Sequence, residues 1–183
     1  MKKKLLIAIL ALQAVWVCAV SLVQENKLAS PTVVTLKTVP VDPRDLFKGD
    51  YVVLRYEIST LPASLFRDAM PDVSETGRKV YVVLEPSGEF YHAVAAWTKE
   101  PSLSPGQVMI KGAVEPHRPW MTRGMELRVE YGLEKYFVKE GTGTVRGQTT
   151  VKVALTKHGN PAIREVLVDG VPYAEAARKL NLR

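Results

Sequence analysis

The run Asp42-Pro43-Arg44-Asp45-Leu46-Phe47-Lys48-Gly49-Asp50-Tyr51-Val52-Val53-Leu54-Arg55-Tyr56-Glu57-Ile58 joins a turn to a strand, and its reading decides the fold. Asp42 before Pro43 has the form of a helix N-cap with proline at the first helical position, and Asp45 adds a carboxylate to that first turn. Gly49 after Lys48 supplies a left-handed stop, so residues 43–48 are expected to form one helical turn. From Tyr51 the side chains alternate. Val52, Leu54, Tyr56 and Ile58 share one face, expected to point into a core, while Tyr51, Val53, Arg55 and Glu57 share the other. A tyrosine on the inward face needs a partner for its hydroxyl, and Asp50 at the turn is placed to accept backbone N–H groups.

Gly49, Asp50, Tyr51, Leu54 and Tyr56 together spell the signature of the bacterial GDYXXLXY family, which this chain resembles. The later run Tyr131-Gly132-Leu133-Glu134-Lys135-Tyr136-Phe137-Val138 is similar to that family as well. The resemblance implies an extracytoplasmic β-rich domain on a membrane anchor, accompanying multi-pass membrane proteins. It implies no reaction, ligand or cofactor.

Outward from the motif, the chain reads as β-strands separated by turns. Thr32 to Val39 is rich in β-branched residues. Leu61 to Val73, with Pro62 and Pro71, is expected to be a loop holding a short helix pinned by Leu65 and Phe66. Lys79 to Glu85 and Phe90 to Trp97 flank the turn Pro86-Ser87-Gly88-Glu89, and Glu100 to Gly106 connects onward. The order then recurs. Val34-Thr35-Leu36-Lys37 answers to Val108-Met109-Ile110-Lys111, Asp42-Pro43-Arg44 to Glu115-Pro116 and Arg118, and Gly49 to Tyr56 to Gly124 to Tyr131. Val80 to Leu84 with Gly88 answers to Val151 to Leu155 with Gly159. Two four-stranded units, residues 32–98 and 107–168, are thus expected as a pseudo-repeat. The fold expected is mainly β, an antiparallel sandwich or barrel of about eight strands. Tyr136 to Val138 offers an extra strand, and Pro172 to Leu182 a closing helix with Ala174, Ala177 and Leu180 on one side.

Residues 1–23 stand apart. Lys2, Lys3 and Lys4 precede Leu5 to Val23, which carries no charge and spans roughly 28 Å as a helix at about 1.5 Å per residue, close to a hydrocarbon core of about 30 Å. The expectation is a single-pass signal-anchor in the inner membrane, lysines in the cytoplasm and residues 32–183 on the periplasmic side behind a linker at 24–31. A cleaved signal peptide is the alternative, since Val17-Cys18-Ala19 and Ala19-Val20-Ser21 both suit a cleavage site. Cys18 is the only cysteine, so the exported domain is built without a disulfide.

The formal charge is +6, of which those three lysines supply half, and the remainder does not describe a nucleic-acid surface. His92, His117 and His158 are scattered, with no metal-ligand spacing, and no serine precedes Pro43 to pair with a lysine as a nucleophile. The glycines at 141, 143 and 147 lack the Lys-Ser/Thr of a phosphate loop. No catalytic set or cofactor is therefore assigned. The residues picked out for recognition are Arg44 on one turn and His117, Arg118 and Trp120 on its counterpart, because arginine beside an aromatic ring gives contact energy at low entropic cost. The two turns are expected to be neighbours. The leading expectation is an accessory or interaction domain serving an integral membrane protein. The alternative is a released periplasmic domain, binding or catalytic, with a small-molecule site between the two halves.

Overall fold

The computed structural model describes residues 2–39, 51–116, 126–138, 145 and 147–181. The expected helical turn at 43–48 lies outside them. Helix α1 (Lys2–Leu28) leads into β1 (Thr32–Lys37), β2 (Tyr51–Val53), β3 (Thr60–Pro62), β4 (Lys79–Ser87), β5 (Phe90–Trp97), β6 (Val108–Val114), β7 (Glu126–Glu130), β8 (Lys135–Phe137), β9 (Thr149–Leu155), β10 (Pro161–Val168) and β11 (Val171–Pro172), and α2 (Tyr173–Asn181) closes the order. The fold is mainly β, every strand pairing antiparallel. The sheets run β1-β9-β10-β11, β2-β8 and β3-β7-β6-β4-β5. A bridge between Thr38 and Tyr56 and the packing of β1 against β5 curl them into a nearly closed, barrel-like arrangement.

Among the described residues eleven strands replace the expected eight. The eight are all present, β8 takes the place of the expected extra strand, and β3 and β11 are additions too short to carry a periodic signal. The motif strand is also shorter than its alternation suggested. After Val53 the chain leaves the ladder, and Glu57–Ser59 winds into a 3-10 turn. Even so, Val52, Leu54, Tyr56 and Ile58 are all buried in one core with Val34, Leu36, Leu127, Val129, Tyr131 and Leu133. Burying each such aliphatic side chain is worth roughly 1.5–3 kcal/mol, with no disulfide beside it. The 61–73 segment holds a 3-10 turn at Ala63–Leu65, with Leu65 and Phe66 packed on the core. In α2 the inward residues are Tyr173, Ala176 and Ala177, and Ala174 is exposed, which corrects the expected face.

In the pairs β2–β8 and β3–β7 the register follows the internal correspondence, and in the hairpin strands it departs from it. In β2 and β8, Tyr51, Val52 and Val53 lie opposite Phe137, Tyr136 and Lys135. In β7 and β3, Glu126, Leu127 and Arg128 lie opposite Pro62, Leu61 and Thr60, each residue displaced by the step that separates Tyr56 from Tyr131. The three-stranded sets β1-β9-β10 and β6-β4-β5 match likewise. Both hairpins carry a bulge, between Val83 and Leu84 in one and opposite Lys152 and Val153 in the other. That bulge sets Leu84 against Val153, two residues from the alignment based on Gly88 and Gly159. The first hairpin turns tightly at Gly88 (φ +63), whereas the second takes the longer loop between Leu155 and Pro161.

Where the first half has Thr38, the second has Gly112. Its neighbour Ala113 pairs with Glu130, and a Cβ on Gly112 would come 2.8 Å from Glu130 O and 2.9 Å from Tyr131 Cδ1, with Val129 Cγ1 also in the way. Two of those obstacles are buried side chains and one is backbone, so the site has little room to yield. Gly112→Ala is expected to destabilise the domain by about 1–3 kcal/mol, read as a lower denaturation midpoint at unchanged slope.

Candidate functional site

The family motif forms a brace in the interior. Leu54 donates its N–H to the carbonyl of Glu134 at 2.8 Å, so the chain beyond β2 stays tied to the 131–138 run. Tyr56, 1% exposed, donates its hydroxyl to the carbonyl of Leu133 at 2.8 Å. Tyr131, its counterpart, donates to the carbonyl of Ile58 at 2.6 Å. Each tyrosine thus reaches the carbonyl two residues beyond the other tyrosine, which makes the two bonds reciprocal. Burial pushes both phenols far above their ordinary pKa, and the nearby Glu134 carboxylate adds to the effect. Both are neutral donors at any physiological pH.

Tyr51 faces outward, half-buried. Its ring is 5.9 Å from Phe137 and 5.2 Å from the Lys135 ammonium, a cation-π contact. Gly49 and Asp50 of the motif lie outside the described residues, as do Arg44, His117, Arg118 and Trp120. Of the other histidines, His92 on β5 has Nδ1 4.0 Å from Glu57 Oε2, and His158 in its turn has Nδ1 3.2 Å from Glu100 Oε1.

Between the end of α1 and the β6, β7 and β10 strands lies a cleft of about 660 Å³. Gln24 and Leu28, one helical turn apart, form one wall, and Lys79, Lys111, Gly132 and Asn160 line the rest with Tyr131 beneath. Neither lysine has an ion-pair partner among the described residues. Glu130, the acidic residue of the lining, is already engaged in an interaction. None of these residues drew notice in the sequence as site residues. The signal available was a comparison of the two halves, in which Glu57 after Tyr56 is answered by Gly132 after Tyr131.

Fold and brace together define an antiparallel, barrel-like β-domain braced by paired buried tyrosines. The family model of the GDYXXLXY protein matches residues 13–166, and the chain belongs to that family. No curated protein and no solved structure matches it.

Tyr56→Phe and Tyr131→Phe each remove a donor and leave a buried carbonyl unpaired, at an expected cost of about 1–3 kcal/mol apiece in thermal or chemical denaturation. The pH dependence follows from the raised pKa values. In the unfolded chain a tyrosine ionises near pH 10, but in the folded chain these two stay protonated, so their contribution is fully present below about pH 10 and is lost as pH rises beyond it. The loss approaches about 1.4 kcal/mol per pH unit for each tyrosine, and the double phenylalanine variant is expected to show a correspondingly shallower alkaline decline.

Proposed function

We propose that this protein is a membrane-anchored extracytoplasmic domain, with α1 as its single-pass anchor, serving as an accessory or interaction module for an integral membrane protein. The observation that carries the reading is the exposed apolar surface of α1. Leu6, Ile7, Leu10, Leu12, Val15, Trp16, Val17, Val20 and Leu22 are each between 48% and 72% exposed, on all sides of the helix. A globular domain buries such a helix or hands it to lipid, and among the described residues the main contacts of α1 with the β-domain are to β9 and β10. Among the described residues no helix is long and apolar enough to cross a membrane. Support for the crossing comes from the full run Leu5 to Val23, uncharged and preceded by three lysines, which favours a cytoplasmic N-terminus and a periplasmic domain.

The recurring strand pairings support a second element of the reading, that the domain is a duplicated unit. In such a domain the turn bearing Arg44 and the turn bearing His117, Arg118 and Trp120 are equivalent, and these four residues are the proposed contact with the partner.

An anchored chain stays in the membrane pellet after a carbonate wash with its N-terminus intact, and this is the expected result. Recovery of soluble protein beginning between Ala19 and Leu22 would mark a cleaved signal and overturn the anchor. Crosslinking in native membranes is expected to enrich an integral membrane protein, and Arg44→Ala combined with Arg118→Ala to reduce that capture while leaving the melting temperature unchanged. Capture at the wild-type level would remove these residues from the interface.

A further inference from the structure

The two halves carry the same lysine in different company. In the first half Lys37 Nζ lies 3.0 Å from Glu57 Oε1. In the second half Lys111 occupies the register position of Lys37, one residue before Gly112 as Lys37 is before Thr38, and Gly132 stands where Glu57 stood. The carboxylate is gone and the ammonium remains. In its place is the open cleft, which Lys79 lines together with Lys111.

We propose that this cleft binds a phosphate group, whose oxygens take the part against Lys111 that Glu57 takes against Lys37. Two lysines in one lining suit a phosphate better than a single carboxylate, since an ammonium strengthens its hydrogen bonds through charge. A volume of about 660 Å³ also leaves room for the substituent the phosphate carries. Gly132 contributes by what it lacks. It has φ +75 and open space where a Cβ would stand, so the approach to Lys111 from that side is clear.

The source of the phosphate follows from the position of α1 and rests on the anchoring proposed above. Gln24 is the first residue after the apolar run Leu5 to Val23, and Leu28 is one turn further, about 6 Å along the axis. If the run fills the hydrocarbon core, a cleft walled by Gln24 and Leu28 opens at headgroup depth. The ligand is then the phosphodiester of a lipid headgroup, held where the domain meets the bilayer.

The test uses the full-length protein in neutral detergent, titrated separately with dihexanoyl phosphatidylglycerol, with sn-glycerol 3-phosphate and with phosphate-free dihexanoylglycerol, while the melting temperature is followed. The phospholipid is expected to raise the melting temperature saturably and the diacylglycerol to leave it unchanged. Lys111→Gln is expected to weaken the phospholipid response by about tenfold or more, and Lys37→Gln to leave it intact. Gly132→Glu, which restores the missing carboxylate, is expected to abolish it. Because the backbone there is left-handed, that variant also loses stability, and Lys111→Gln decides the question. A phospholipid response absent in the wild type, or undiminished in Lys111→Gln, overturns the site. Saturation by glycerol phosphate with the lipid inert overturns the lipid source. The carbonate wash reports on anchoring independently, so failure of the anchor and failure of the site are told apart.

Discussion

The fold depends on two buried phenols. A tyrosine hydroxyl withdrawn from water must find an acceptor, and Tyr56 and Tyr131 each find it in a carbonyl that no strand ladder claims, in the turn that follows the other tyrosine. The 3-10 turn at Glu57–Ser59 and the bend after Tyr131 are thereby fixed against each other across the core. Because both bonds connect the same two segments in opposite directions, loss of either leaves a donor or an acceptor stranded on each side. This explains why the motif demands tyrosine at its last position, and why Leu54 before it ties the same segments together through its N–H to Glu134.

The pairing of strands extends that interdependence to the whole domain. β1, from the first half, pairs with β9 of the second, while β6, from the second half, pairs with β4 of the first. β2 finds its partner in β8 and β7 in β3 by the same exchange. Each half therefore supplies the edge that completes the other half's sheet, and cutting the chain between β5 and β6 would leave both parts with unpaired strands. Such long-range pairing must overcome loop-closure entropy before it is rewarded, so assembly of the barrel is a late and collective event. It is also how the domain reaches a single continuous core without a disulfide.

What the sequence disclosed depended on the range of the interaction. The inward face Val52, Leu54, Tyr56 and Ile58 was legible because alternation records burial even where the ladder lapses. The need of Tyr56 for a partner was legible from chemistry alone, whereas the identity of that partner, the carbonyl of Leu133, was not. The hairpin at Gly88 was read correctly from its turn residues, but the same glycine signal at Gly159 misled the alignment, because the second loop is longer and the bulges, not the turns, hold the register. β3 and β11 escaped notice because strands of two or three residues have no period. The cleft escaped because its walls come from α1, β6, β7 and β10, segments that no local pattern brings together.

Near-equivalence of the halves makes their differences informative. The two halves both carry the lysine and the tyrosine, with a salt bridge of Lys37 to Glu57 in one place and, in the other, Lys111 beside Gly132 with no ion-pair partner among the described residues. The exposed Lys37–Glu57 pair is worth only a fraction of a kcal/mol to about 1 kcal/mol, so stability gives no strong reason to keep it. Lys111 lies on the side where α1 joins the β-domain. Under the proposed phosphate site the lysine of the first half meets the chain's own carboxylate, whereas that of the second, in the cleft beside the helix, meets an external oxyanion.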